Sequence, residues 1–182
     1  MNLPNFISLA RLLGAPLIVW LLLTEAWVAA FVVFLAAGLS DAADGYLAKR
    51  LDMQSSVGAY LDPIADKTLL VSIYLTLSFK GHLALWLVIL VVSRDLLIVG
   101  GALLVFMLNH PTWVRPSLPS KLNTLLQITL AALVIGGLAF ELDWLAGPIG
   151  ILGVAVGATT VVSGAGYLVA WIRRLADMEE SP

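Results

Sequence analysis

Residues 83–108 read LALWLVILVVSRDLLIVGGALLVFML, an apolar run whose only charges are Arg94 and Asp95. A helix needs about 20 consecutive apolar residues to cross a hydrocarbon core of ~30 Å. The run is long enough for this, so it predicts a transmembrane helix. The two opposite charges inside it have two interpretations: an ion pair that neutralises itself within a helical bundle, or part of a polar site.

Five further apolar runs of similar length lie on either side of this one. The chain is 60% apolar and only 12% charged, which is outside the usual composition of soluble proteins. The connections are short, and no linker rich in Ser, Gly or Pro divides the sequence. We therefore predict an all-α membrane protein in which residues 1–182 form a single domain, a bundle of six transmembrane helices with a short interfacial segment at the N-terminus. The predicted spans are 7–23, 27–51, 58–79, 83–108, 120–140 and 144–172.

Basic residues concentrate at alternate ends of the predicted spans. By the positive-inside tendency, both termini and the connections after the second and fourth spans face the cytoplasm. The formal net charge is −2, so nothing in the charge balance suggests a nucleic-acid partner. The basic residues on the predicted cytoplasmic side are Arg11, Lys49, Arg50, Arg115, Lys121, Arg173 and Arg174.

Four carboxylates lie in the second and third spans, although an ionised Asp in hydrocarbon costs ~3 kcal/mol or more. Asp41 and Asp44 are three residues apart, and Asp62 and Asp66 are four apart, so each pair shares one face of a helix. Gathered together they repel one another unless a cation lies among them. Oxygen ligands favour Mg²⁺, Mn²⁺ or Ca²⁺. The alternative is that they are helix caps and solvated loop charges, and Asp62 before Pro63 suits a helix start.

These aspartates belong to a longer pattern. Residues 41–66 read DAADGYLAKRLDMQSSVGAYLDPIAD. This stretch resembles the signature D-x2-D-G-x2-A-R-x8-G-x3-D-x3-D of the CDP-alcohol phosphotransferase family and departs from it at one fixed position, Lys49, where the family has Arg. Arg50 follows directly, so a cation is kept, but an ammonium group cannot make the planar bidentate contact of a guanidinium.

The resemblance implies an enzyme that joins the phosphatidyl group of CDP-diacylglycerol to an alcohol and releases CMP. It implies two divalent ions, Mg²⁺ or Mn²⁺, held by the four aspartates, and it makes Asp66 the candidate general base. Members of the family are commonly homodimers, which we expect here as well.

The resemblance also assigns residues to the CDP moiety. It places Gly45, Ala48 and Gly58 in the cytidine pocket, with Lys49 at the position of the family Arg. The N-terminal segment resembles that of the phosphatidylglycerol and cardiolipin branches, which implies nucleotide or phosphate contacts for Asn5, Ser8 and Arg11. Close helix packing is the alternative for the glycines, and interfacial anchoring is the alternative for the N-terminal residues.

Two short motifs bear on the acceptor. Ser-Arg-Asp at 93–95 and Ser-Lys-x-Asn-Thr at 120–124 resemble the CMP-forming cardiolipin synthases, which implies phosphatidylglycerol as the acceptor. Phosphatidylglycerophosphate synthases, which use glycerol 3-phosphate, more often show Ser-Arg-Glu and Gly-Lys-x-Lys-Thr, and this acceptor stays open. The residues we expect to contact the acceptor are Arg94, Lys121 and Thr124.

Two other classes of protein place aspartates inside a membrane. Prenyltransferases carry their two aspartate motifs far apart in a longer chain, whereas both pairs lie within residues 41–66 here. A pathway for divalent cations leaves the spacing of Gly45 and Gly58 unexplained. The shortness of the chain favours a bacterial inner membrane over an organelle. Gly153 and Gly157 have the small-xxx-small spacing of closely packed helices, within one chain or between subunits.

Overall fold

The computed structural model describes the backbone of residues 3–51, 58–107 and 118–179, and the side chains of residues 13–40, 67–101 and 118–172. Over these backbone ranges the secondary structure is entirely helical, which confirms the predicted all-α class. A short 3₁₀ turn, Asp143–Leu145, precedes the last helix. The α-helices are α1 (Leu3–Leu23), α2 (Trp27–Leu51), α3 (Gly58–Phe79), α4 (Leu85–Met107), α5 (Leu118–Ala139) and α6 (Ala146–Glu179).

Each predicted span corresponds to one helix, and the differences lie at the ends. The segment expected to lead into the first span is helical from Leu3 and continuous with α1. The last helix continues to Glu179, beyond the predicted end at residue 172. Residues 173–179 read RRLADME, in which four residues are charged and all but Asp177 are good helix formers, so the helix extends past the point where the apolar run stops.

The helices form a closed ring in the order α1, α2, α5, α6, α4, α3 and back to α1. Across this ring α3 also touches α5, where the Tyr74 hydroxyl donates to the Gln127 carbonyl oxygen at 3.0 Å. The order places α1 between α2 and α3, the two helices that contain the signature aspartates. Among the described residues, α1 therefore packs against both of them.

Contacts between the helices fix their directions. Phe31, near the start of α2, stacks edge-on against Phe140, just after the end of α5, so these helices are antiparallel. Lys80, just after the end of α3, pairs with Glu25, just before the start of α2, so α2 and α3 also run in opposite directions. The end of α2 and the starts of α3 and α5 therefore lie toward the same end of the bundle.

The interior and the outer surface are both apolar. Ile18, Ile73 and Leu130 are fully buried, whereas Phe79 is 83% exposed and Ile151 75% exposed. Within the part of the chain described, two helical stretches, Leu118–Ala139 and Asp143–Ile172, are long and apolar enough to cross a membrane. The six-helix architecture is confirmed. Core helices of soluble proteins can be equally long and apolar, so the six membrane spans stay a prediction.

The small residues of α6 pack inside the chain. Gly157 lies against the Trp86 ring, and Gly153 lies against Leu87, both on α4. Further along the same pair of helices, the Trp171 indole lies against Gly101. The spacing of Gly153 and Gly157 thus serves a contact within one chain, between α4 and α6.

Candidate functional site

The signature aspartates lie on two helices, as the sequence predicts. Asp41 and Asp44 fall in the second half of α2, and Asp62 and Asp66 fall in the first turns of α3. Because α3 begins at Gly58, Asp62 lies inside the helix and is not its N-cap. The side chains of all four are outside the described residues, so their convergence stays a prediction.

The residues expected to contact CDP lie on the same two helices and on α1. Gly45, Ala48 and Lys49 belong to α2, and Gly58 is the first residue of α3. Asn5, Ser8 and Arg11 belong to α1, which packs against both α2 and α3. The helix order therefore places the other two helices that carry these residues next to α1. Their side chains fall outside the described ranges, so the individual contacts with CDP stay predictions.

A divalent metal would draw its ligands from this segment. Asp41, Asp44, Asp62 and Asp66 offer only hard carboxylate oxygens, and this donor set fits Mg²⁺ or Mn²⁺. Among the side chains that the structure describes, no group of three or more His, Cys, Asp or Glu residues is arranged to hold a metal. By the chemistry of their donors, the signature aspartates are the residues that would hold the ions.

A buried polar cluster lies at the same end of the bundle, where α3, α4, α5 and α6 meet. Its centre is Arg94 on α4, which is 4% exposed. The Arg94 guanidinium donates through Nη1 to Asp95 at 2.7 Å, through Nη2 to the hydroxyl of Ser120, and through Nη2 to the hydroxyl of Ser163 at 2.9 Å. Its Cζ atom lies 5.9 Å from the centre of the Tyr167 ring. This one side chain therefore links α4 to α5 and α6.

Asp95 joins the cluster to the helix of the signature. Its Oδ1 atom accepts from Arg94 and also from Nζ of Lys67, at 2.8 Å. Lys67 lies on α3, one residue after Asp66, and its side chain is 28% exposed, whereas that of Asp95 is 7% exposed. The second carboxylate oxygen of Asp95, Oδ2, is buried and has no hydrogen-bond partner among the residues whose side chains are described.

The three residues expected to contact the acceptor have different surroundings. Arg94 is buried and donates to neighbouring helices, Lys121 is exposed, and Thr124 is half-buried. The Thr124 hydroxyl donates to the Ser120 carbonyl oxygen at 3.2 Å. Ser120 thus connects Arg94 with Thr124, while Lys121, the next residue, faces outward at the start of α5. Their contacts with an acceptor stay a prediction.

A second polar layer lies between α5 and α6. The Asn123 side-chain oxygen accepts from the hydroxyls of Thr159 at 2.9 Å and Thr160 at 3.0 Å. Asn123 Nδ2 and both side-chain polar atoms of Gln127 are buried and have no hydrogen-bond partner among the described side chains. Asn123 and Gln127 are one helical turn apart on α5 and are both fully buried, so they extend the polar cluster into the bundle.

Several cluster residues were not singled out from the sequence. Ser163 and Tyr167 on α6 contact Arg94, and Thr160 contacts Asn123. These three residues are separated by three and four positions, so they share one face of a helix that otherwise carries mostly small and apolar residues. That spacing is the signal by which they could have been found. Lys67 offered no such signal, because its partner Asp95 is on another helix.

The sequence was also compared with known proteins. The CDP-alcohol phosphatidyltransferase family matches residues 1–169. A Schizosaccharomyces pombe protein named as a fusion of CMP-forming cardiolipin synthase and mitochondrial hydrolase is 35% identical, over 92% of this chain and 31% of its own length. A chloroplastic CDP-diacylglycerol–glycerol-3-phosphate 3-phosphatidyltransferase of Oryza sativa is also 35% identical, over 92% of this chain and 56% of its own.

The chain thus spans just under a third of the length of the first of these relatives and just over half of the second. A bacterial relative is closer to it in size: the CDP-diacylglycerol–glycerol-3-phosphate 3-phosphatidyltransferase of Aquifex aeolicus is 34% identical over 75% of this chain and 76% of its own length. The family match and this relative each cover most of the chain. The family match includes the signature at residues 41–66. The chain belongs to the CDP-alcohol phosphatidyltransferase family.

Proposed function

We propose that the chain is a phosphatidyltransferase of phospholipid synthesis that transfers the phosphatidyl group of CDP-diacylglycerol to a hydroxyl of phosphatidylglycerol, giving cardiolipin and CMP. The observation that carries the proposal is the aspartate signature at residues 41–66, matched at all fixed positions except Lys49, in a chain of this family. The acceptor is proposed from the Ser-Arg-Asp motif at 93–95 and the Ser-Lys-x-Asn-Thr motif at 120–124.

The reaction replaces one phosphorus–oxygen bond with another. The acceptor hydroxyl oxygen bonds to the phosphorus that carries diacylglycerol, the bond from that phosphorus to the CMP oxygen breaks, and CMP leaves. Asp66 takes the proton of the attacking hydroxyl. Asp41, Asp44, Asp62 and Asp66 would hold Mg²⁺ or Mn²⁺, two ions in our proposal, and the bound ions would supply positive charge to the diphosphate and the departing CMP.

The proposed location is a membrane. Large apolar side chains are exposed on every helix, for example Trp20 on α1, Leu75 on α3 and Leu96 on α4. Such a surface suits hydrocarbon and would aggregate in water. We infer six membrane spans, an active site at the cytoplasmic side of a bacterial inner membrane, and a homodimer, as the basic residues and the family resemblance predict.

The second candidate acceptor is glycerol 3-phosphate. The Oryza sativa relative, whose name specifies this acceptor, is as similar to the chain as the Schizosaccharomyces pombe fusion protein, whose name includes cardiolipin synthase, at 35% identity over 92% of the chain in each case. The two reactions share the donor, the CMP product and the signature aspartates. They differ in the acceptor that supplies the hydroxyl group. The residues of the polar cluster would contact that acceptor.

One assay separates the two reactions. Purified protein in lipid nanodiscs is incubated with labelled CDP-diacylglycerol and Mg²⁺ or Mn²⁺, and either phosphatidylglycerol or glycerol 3-phosphate. We expect CMP and labelled cardiolipin with phosphatidylglycerol. Product formed only with glycerol 3-phosphate would replace the first reaction by the second. If no CMP were released with either acceptor, both proposed reactions would be contradicted.

The two other classes weighed from the sequence lack this support. The family match does not favour a prenyltransferase or a pathway for divalent cations. A prenyl diphosphate added to the same assay as a donor is expected to give no product, and liposomes that contain the protein are expected to show no metal flux.

A further inference from the structure

The contacts of Lys67, Asp95 and Arg94 leave a surplus of positive charge. Two cations, Arg94 and Lys67, share the same oxygen of one carboxylate, Asp95, so the three side chains together carry one net positive charge. Arg94 already neutralises Asp95 at 2.7 Å, and its other donors reach Ser120 and Ser163. Lys67 is therefore not needed to neutralise the carboxylate.

Stability alone explains this arrangement poorly. Removing charges from water costs several kcal/mol for each ion, and buried ion pairs often contribute nothing relative to apolar side chains of similar volume. The buried Oδ2 atom of Asp95 has no hydrogen-bond partner within the described part of the chain, which adds to the cost. Ionisable residues inside a predicted membrane span commonly mark a functional site, so this cluster is a candidate for one.

Lys67 is more exposed than Arg94 and has N–H donors that could bind a ligand. Its side chain is 28% exposed, whereas that of Arg94 is 3% exposed. A Lys ammonium has three N–H donors, and among the described residues Lys67 uses one of them, on Asp95. It also follows Asp66 directly in the sequence, so it lies in the first half of α3, beside the signature.

We propose that Lys67 binds a phosphate oxygen of a substrate and that Asp95, held by Arg94, positions the Lys67 ammonium for this contact. The inference rests on the proposed function and adds to it a binding residue and a positioning residue that the family signature does not include. The ligand chemistry is a phosphate ester anion. It has two sources, the diphosphate of CDP-diacylglycerol and the phosphate of the acceptor.

Steady-state kinetics of Lys67→Gln distinguishes the two sources. We expect the KM for one of the two substrates to rise about tenfold or more, the factor that corresponds to ~1.4 kcal/mol of lost binding. A rise for CDP-diacylglycerol assigns Lys67 to the donor, and a rise for the acceptor assigns it to the acceptor. Lys67→Arg keeps the charge and is expected to restore most of the affinity.

A matched control and a second variant test the two parts of the proposal. Lys80→Gln removes the ammonium that pairs with Glu25 beyond the other end of α3, and it is expected to leave both KM values unchanged. Asp95→Asn is expected to raise the same KM as Lys67→Gln, because Lys67 loses its charged partner. An unchanged KM in Asp95→Asn, beside a raised one in Lys67→Gln, would refute the positioning role.

Ligand-dependent thermal stabilisation gives a readout that does not need turnover. Each phosphate-bearing substrate is added alone to wild type and to Lys67→Gln, and the rise in Tm is compared. A rise in wild type that is lost in the variant supports the site even if wild type releases no CMP, in which case only the proposed function fails. Unchanged KM values and unchanged ligand shifts in Lys67→Gln would overturn the inference and leave Lys67 as a tether between α3 and α4.

Discussion

The Trp86 ring on α4 lies directly against Gly157 on α6, so that a Cβ atom at Gly157 would come within 2.7 Å of the ring. One helical turn earlier, a Cβ at Gly153 would meet only Leu87, at the ordinary contact distance of 3.8 Å. The two glycines of the same small-xxx-small pair therefore have different requirements. At position 157 there is no room for a side chain, whereas at position 153 there is room for a methyl group.

This difference predicts opposite effects of two alanine substitutions. Gly157→Ala is expected to destabilise the protein by about 1 kcal/mol or more, because the Trp86 ring must move. Gly153→Ala is expected to be neutral or stabilising by up to ~1 kcal/mol, since alanine is the better helix former. Thermal unfolding in detergent measures both. Trp86→Leu should remove most of the penalty of Gly157→Ala, and equal losses in the two single variants would contradict this packing.

The buried position of Arg94 predicts a large loss of stability when its charge is removed. Arg94→Met breaks the bonds to Ser120 and Ser163 and takes from Asp95 its closest cation, which is expected to cost about 3–5 kcal/mol. Thermal unfolding without substrates isolates this effect from any effect on binding. Lys121→Met, an exposed neighbour of the cluster, is the control and is expected to stay within ~0.5 kcal/mol of wild type. An unchanged Tm in Arg94→Met would show that the cluster does not hold α4 to α5 and α6.

The signature predicts loss of activity without loss of the fold. Asp41→Asn and Asp66→Asn each remove a charge proposed to hold a metal while keeping the volume of the side chain, so CMP release should fall below detection and Tm should change little. Asp143→Asn, an exposed aspartate beyond the other end of the bundle, is expected to keep full activity. Wild-type rates of CMP release in either signature variant would refute the proposed metal site.

The ion pair between Glu25 and Lys80 predicts a dependence of stability on pH. The hydrogen bond and charge of Lys80 hold the pKa of Glu25 below its ordinary value of about 4.5. Because the folded-state pKa is lowered, the stabilisation is present above that ordinary pKa and is lost as the pH falls through the folded-state pKa. Glu25 is exposed, so the effect is small.

Tm measured from pH 7 down to pH 3 tests this. Glu25→Gln should have a slightly lower Tm than wild type at pH 7, and the difference should close as the solution is acidified below about pH 4.5. Glu141→Gln, at the turn before α6, is the control for general effects of removing a carboxylate. A difference that stays constant over the whole range would contradict the assigned pairing.

The helices and the family can both be predicted from the amino-acid sequence alone. Long apolar runs set the number of helices, because a helix satisfies its own backbone hydrogen bonds and depends on residues close in sequence. Residues 41–66 carry the signature as a linear spacing, so they could be recognised without coordinates. The ends were less well predicted: α6 continues to Glu179 because helix propensity, and not apolarity, decides where it stops.

The helix faces that meet are known only from the packing of the helices. The sequence allows Arg94 to be either a self-neutralising partner of Asp95 or a ligand for a substrate, and the structure adds a bond to Ser163, 69 residues away. Lys67 became a candidate only through Asp95 on another helix, and Gly157 was placed within the chain only by its contact with Trp86. Such contacts depend on how helices rotate and pack around a shared core, and apolar runs of similar composition do not specify their neighbours.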